Sequence, residues 1–150
     1  MPSSTTRLIS IKNRRISQIK HSLILPLLCL APLTVSAAPS EAEMIFSNEV
    51  IECASYYQIS SAAISAMNAP QMQAVGERLK SSSVKAISIA EEYQAKEDVA
   101  DGLSSVQQKH LASLPDNKSL RDLMSKYKDS CKSLLAEPQQ RLDYWIMATM

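Results

Sequence analysis

The scarcity of glycine constrains this chain more than any other feature of its sequence. Only two glycines, Gly76 and Gly102, occur in 150 residues, and neither lies in a binding motif. Primed β-turns, phosphate-binding loops and dinucleotide-binding fingerprints need several glycines, because the backbone there takes positive φ or approaches a ligand closely. Folds built on those features are excluded. A glycine-poor chain rich in Ala, Ser, Leu, Lys and Glu favours helices, and we expect an all-α fold.

The first forty residues differ sharply from the rest of the chain. Five basic residues and no acidic residue precede Glu41, and an uncharged apolar run of 13 residues, Leu23 to Val35, leads into small side chains. This order of basic, apolar and small residues is typical of a secretory signal peptide. We predict cleavage after Ala37, with Ala38 as the alternative, which leaves one mature domain at 38–150.

Two other interpretations of residues 1–37 fit less well. An uncleaved membrane anchor needs about 20 apolar residues to cross a bilayer, and the apolar run is shorter and interrupted by Pro26 and Pro32. A lipoprotein would need a small residue just before Cys29, where the chain has the large Leu28. We therefore expect no stable membrane anchor after cleavage.

Export also changes the charge of the protein. Removing residues 1–37 takes away five of the 16 basic residues and none of the 15 acidic ones, so a formal charge of +1 becomes −4. Nucleic-acid binding is not expected, because it begins with a basic patch and the only dense one is removed. The residues after Arg14 and Arg15 lack the apolar pair of a twin-arginine signal, so we expect Sec-type export to the periplasm or the cell exterior.

Two cysteines remain in the mature chain, Cys53 and Cys131, which lie 78 positions apart. Such a pair in an exported protein is expected to form a disulfide. The chain-entropy model gives about 4.5 kcal/mol, an upper figure, for the resulting restriction of the unfolded chain. A redox pair is the alternative, but redox cysteines usually form a Cys-x-x-Cys motif beside a helix N-terminus. We therefore predict a structural disulfide.

Apolar residues in the mature chain recur at steps of three and four, the spacing of one helical face. The predicted helices cover 41–68, 71–96, a third from Val99 to just before Leu114, and a fourth from 117 through Leu135. The second and third could instead be fused. We expect a small antiparallel three- or four-helix bundle with one disulfide, because the first and last long helices then place both cysteines at matching height.

Three aromatic residues are candidate contacts for a partner or ligand. Tyr56 and Tyr57 follow Cys53 closely, so one ring faces the disulfide and the other a flank or groove, with core packing favoured. Trp145 lies in a C-terminal tail, 139–150, that forms a short amphipathic helix with Leu142, Trp145, Ile146 and Met150 on one face. We expect this tail to dock on the bundle; a partner-binding tail and a membrane contact are the alternatives.

The mature chain lacks the residue patterns that catalysis or metal binding needs. His110 is its one histidine, and we expect it to be partly exposed near a helix C-terminus, so it is the only candidate histidine base. The acidic residues Glu97, Asp98 and Asp101 lack the glycine-turned loop of a calcium site and fit a helix start. Neither cysteine belongs to a Cys-x-x-Cys-His motif, which excludes standard covalent haem attachment. No metal or cofactor is expected.

These observations predict a non-enzymatic exported protein, an accessory or structural component of a bacterial envelope. It would act through contacts with a protein partner whose identity the sequence does not give. The alternative is a carrier of a small ligand or of non-covalently bound haem. Its ligand would lie between the helices, near Tyr56, Tyr57, Tyr93, Tyr127 and His110.

Overall fold

The computed structural model describes residues 38–114 and 117–150. The predicted signal peptide, 1–37, and the turn predicted at Pro115 and Asp116 lie outside the described residues. The described part of the chain is helical, contains no strand, and so confirms the all-α prediction. Its elements are α1 (Glu41–Ala66), a 3-10 turn (Pro70–Met72), α2 (Gln73–Ala90), α3 (Lys96–Ala112), α4 (Asn117–Ala136) and α5 (Pro138–Thr149).

Helix α1 begins with the predicted capping box. The Ser40 hydroxyl accepts a hydrogen bond from the Glu43 backbone N–H at 3.3 Å, and the Ser40 N–H donates to the Glu43 carboxylate at 2.6 Å. These bonds from Ser40 lower the pKa of Glu43. The helix ends at Ala66, two residues earlier than predicted, and Asn68 adopts a left-handed φ of 48°. That conformation suits asparagine and reverses the chain toward α2.

Helix α1 is the centre of the fold and contacts each of the other four helices. Half of its 26 residues are buried, and they point in several directions rather than along one stripe. The predicted stripe was therefore too narrow, because Ser47, Ile51 and Ser55 are buried as well. It was also too long, since Met67 is 59% exposed. A helix surrounded by others buries small or apolar residues on every side.

Helices α2 and α4 run antiparallel to α1. The Ser61 hydroxyl donates to the Gly76 carbonyl at 2.9 Å, and 14 residues earlier in α1 the Ser47 hydroxyl donates to the carbonyl of Ala90 in α2 at 3.4 Å. These small side chains let α1 and α2 approach closely, as their spacing predicts. On the other side, α4 is joined to α1 by the disulfide.

The disulfide between Cys53 and Cys131 is present, which confirms the predicted pairing. The two Cα atoms lie 5.4 Å apart, within the usual range, and both residues are buried. The bond lies near the middle of both helices, as expected for antiparallel neighbours. None of the described helices is long and apolar enough to cross a membrane.

Helices α2 and α3 are separate, so the predicted second helix was too long and the fused alternative is wrong. Helix α2 passes unbroken through Ser81 to Ser83 but ends at Ala90 rather than Lys96. Within the turn, the Tyr93 ring packs edge-on against Phe46 at 5.3 Å between centroids. Val99 then returns to the core with 1% exposure. A straight continuation of α2 would carry Val99 away from α1, so burial of these apolar residues favours the break.

Helix α3 runs in the same general direction as α1. Gly102 lies against Ile51, where a Cβ atom would sit 3.4 Å from the isoleucine Cδ1. Farther along both helices, the Gln107 side-chain amide donates to Gln58. The bundle therefore combines two antiparallel neighbours of α1 with one parallel neighbour, and α5 adds a fourth contact.

Candidate interaction surface

The C-terminal helix α5 docks on the bundle and contacts mainly α1. Pro138 occupies its first turn, where the missing backbone N–H costs nothing, and so separates α5 from α4. Leu142 is only 6% exposed and joins the main core, and Trp145 is half-buried against it. The predicted face of Leu142, Trp145, Ile146 and Met150 is therefore divided, because Ile146 and Met150 are exposed.

A single carboxylate on α1 fixes the orientation of α5. Arg141 donates to the two Glu49 oxygens from Nη2 at 2.7 Å and from Nε at 2.8 Å, and the Trp145 indole N–H donates to Glu49 at 2.9 Å. The hydrogen bond to Glu49 raises the pKa of Arg141. A bidentate arginine–carboxylate pair specifies geometry as well as energy. These three residues, the Glu49 clamp, hold α5 in one orientation.

The Glu49 clamp also orders the aromatic side chains of α5. The Arg141 guanidinium lies 4.8 Å from the Tyr144 ring centroid and 5.2 Å from that of Trp145, and the two rings meet edge-on at 5.1 Å. Of the predicted contact residues, Trp145 is thus half-buried, and its indole nitrogen bonds to Glu49. Sequence analysis missed Glu49, which lies 92 positions before Arg141. The only available signal was general, since a buried indole N–H needs an acceptor.

Docking through the Glu49 clamp leaves the opposite side of α5 in solvent. That side carries Tyr144, Ile146, Met147 and Met150, which are 49%, 41%, 70% and 98% exposed. Asp143 is its one exposed charge. We call these five residues the α5 outer face. Single exposed apolar residues are ordinary, but several on one side of a short helix are typical of an interaction surface.

The tyrosines next to Cys53 are in the core instead. Tyr56 is 1% exposed and Tyr57 is 5% exposed, and their ring centroids lie 4.8 Å apart. Tyr56 also stacks on Tyr127 at 5.9 Å. Burial raises the pKa of Tyr56, and it raises the pKa of Tyr57 to about 12. In this conformation neither ring is presented to a partner, and together with Tyr127 they fill the space beside the disulfide.

His110 is buried and links three helices, which corrects the expectation of a partly exposed histidine. Its Nδ1 lies 2.9 Å from the Ser55 hydroxyl on α1, and its Nε2 lies 3.2 Å from the Tyr127 hydroxyl on α4. Tyr127 in turn donates to Glu52 at 3.4 Å. A neutral imidazole with its proton on Nε2 satisfies every bond in this chain. Burial lowers the pKa of His110, which favours that neutral form.

This hydrogen-bonded chain is built for support rather than for nucleophilic chemistry. Ser55 has no exposed surface, so its hydroxyl cannot meet a substrate in this conformation. Its partner His110 is 9% exposed and lies at the edge of a cavity of about 240 Å³. Most sites for small organic ligands are larger, from about 300 Å³ upward. That the chain is not an enzyme stays a prediction.

The remaining candidate sites lie on the described surface. Glu97 and Asp98 occupy the first turn of α3, where carboxylates favour the positive end of the helix dipole. Within 38–114 and 117–150, no three His, Cys, Asp or Glu side chains are grouped to hold a metal ion. Comparison with protein-family models, with curated proteins and with solved structures gives no match. The α5 outer face is thus the surface that most resembles a binding site.

Proposed function

We propose that this chain is an exported, disulfide-bonded helical protein that acts through protein–protein contacts made by the α5 outer face. The observation that carries the proposal is the combination of a fixed helix and an apolar surface. The Glu49 clamp holds α5 in place while Tyr144, Met147 and Met150 remain exposed. A surface ordered before binding loses less entropy when a partner docks, so more of the contact energy appears as affinity.

The composition of the α5 outer face supports a protein partner. Tyrosine and methionine are enriched at protein interfaces, and charged residues are depleted from interface centres. Asp143 is the one charge on this face, and the neighbouring cation Arg141 is engaged by Glu49. Membrane-surface helices instead carry several Lys or Arg residues on their polar side. A protein partner therefore fits this helix better than a lipid surface.

Two features support export as part of the proposal. The basic, apolar and small-residue order of residues 1–37 is that of a cleaved signal peptide. The disulfide between Cys53 and Cys131 suits an oxidising compartment such as the periplasm or the cell exterior. The carrier alternative has no such support, because the rings of Tyr56, Tyr57 and Tyr127 pack together where its ligand would lie.

A site-specific photo-crosslinker tests the proposal in cells of the native host. We would place it at Met147 on the α5 outer face and, as the matched control, at Val84 on α2, which is exposed to a similar degree. A partner protein crosslinked from Met147 and not from Val84 is the expected result. Equal crosslinking from both positions, or from neither, would overturn the proposal.

A further inference from the structure

A second apolar surface lies at the far end of α1. An opening of about 560 Å³ is lined by Met67 at the end of α1 and by Leu120 and Met124 on α4. Arg121 and Lys128 border it, together with Ser125 and Asp129. We call this opening the α4 groove. Its floor is apolar and unbranched in part, and methionine adapts readily to an incoming apolar side chain.

The rim of the α4 groove is basic. Arg121, Lys128 and Lys132 are all exposed, and their spacing of seven and four residues places them on one side of α4. Asp129 is the only acidic residue that lines the groove. An occupant with an apolar face and a negative charge would therefore complement both the floor and the rim.

The α5 outer face has those two properties. Its residues Tyr144, Met147 and Met150 follow one another at intervals of three, the pattern by which an amphipathic helix enters an apolar groove. Asp143 lies beside them and is exposed, and its one hydrogen-bond partner is the side chain of Gln139. The chain thus carries an apolar helix face with a negative charge and an apolar groove with a positive rim.

The two surfaces cannot meet within one molecule. The clamp fixes α5 beside Glu49, whereas Met67 lies 18 residues farther along the same straight helix. At 1.5 Å per residue the separation is about 27 Å. The occupant of the groove must therefore come from another molecule.

We propose that two copies of this chain pair reciprocally, with the α5 outer face of each docked in the α4 groove of the other. A closed pair satisfies both surfaces of both copies and leaves no unpaired surface to propagate a chain. Apolar contacts supply the affinity, and Asp143 meets Arg121 and Lys128 across the contact. The inference rests on the proposed function, since it uses the same face of α5 and names its partner.

The mass of the exported protein in solution, measured by light scattering after size-exclusion chromatography, tests the pairing. We expect twice the chain mass at high concentration and dissociation on dilution. Met147→Ser should raise the dissociation constant about tenfold, because it removes a central apolar contact. Val84→Ser is the matched control and should leave the dissociation constant unchanged. A single-chain mass at every concentration would overturn the inference.

Exchanging the charges gives a sharper test that does not depend on weakened folding. Asp143→Lys places a cation against the basic rim, and Arg121→Glu/Lys128→Glu places the original anion against an acidic rim. Each variant alone should have a lower pair fraction than the native chain. Mixed together, each face meets a rim of opposite charge, so a mixed pair should form. Failure of the mixture to pair, with both variants folded by circular dichroism, would contradict the reciprocal contact.

The two proposals fail in different ways. If the chain stays single in solution and the Met147 crosslinker captures a different protein, the pairing is wrong and the proposed function stands. If the mixed pair forms and the crosslinker captures only the same chain, the pairing stands and a separate protein partner is excluded.

Discussion

One residue, His110, shows how a buried group links the stability of this fold to pH. Burial lowers its pKa below the ordinary 6.5, so the unfolded chain takes up a proton at a pH where the folded chain does not. The free energy of unfolding should therefore fall as the pH drops below about 6.5. The loss is at most about 1.4 kcal/mol for each pH unit between the unfolded and folded pKa values.

Urea unfolding at a series of pH values from neutral to mildly acidic measures this effect. His110→Gln is the matched variant, because glutamine can hydrogen-bond but does not titrate in this range. The difference in stability between the native chain and the variant should shrink as the pH falls. A difference that stays constant across the range would mean that His110 is not held neutral.

Tyr57 predicts the opposite response at alkaline pH. Its pKa is raised to about 12 in the folded protein, so the unfolded chain loses the proton first and stability falls as the pH rises above the ordinary value of 10. Absorbance of the tyrosinate form should therefore show a group that ionises only near pH 12 or on unfolding. Tyr57→Phe should remove that late step, and its persistence in the variant would assign it to another tyrosine.

At the level of helices, α5 should contribute to stability through its buried side. Leu142 is 6% exposed, so Leu142→Ala should lower the free energy of unfolding by about 2–4 kcal/mol. Leu111 is the matched control, since it makes the same chemical change at a site that is 56% exposed. Leu111→Ala should change stability by less than about 0.5 kcal/mol. Equal effects in chemical denaturation would mean that α5 does not dock.

Helix starts were more predictable than helix ends. Ser40 with Glu43 forms a capping box whose partners lie three residues apart, so the sequence predicted the start of α1. The break after Ala90 depends on distant contacts instead, because Tyr93 packs on Phe46 and Val99 returns to α1. No glycine or proline marks that turn, and local patterns could not locate it.

Surfaces and networks between helices were the least predictable features. Periodicity identified an apolar stripe on α1, but it could not show that neighbours would surround the helix. The contacts between Glu49 and Arg141 and between Ser55 and His110 join residues 92 and 55 positions apart. Each of these residues is ordinary in its own helix. Only the folded arrangement reveals that His110 is buried and that the outer side of α5 is exposed.

For the whole molecule, the disulfide should supply a large share of the stability. It closes a loop with a sequence separation of 78, and its loss frees the unfolded chain. Replacing Cys53 and Cys131 together by alanine should lower the free energy of unfolding by about 2–4 kcal/mol. Cys29→Ala is the control, because residue 29 lies in the predicted signal peptide and should not affect the mature protein. No loss in the double variant would contradict a stabilising role.

The intact mass of the unreduced protein, recovered from the periplasm or culture medium of its host, tests the central claim most directly. An exported, disulfide-bonded helical protein should have the mass of residues 38–150 less two hydrogens, and no thiol should react with an alkylating agent. A protein that retains residues 1–37, or whose Cys53 and Cys131 are both alkylated without reduction, would contradict this account.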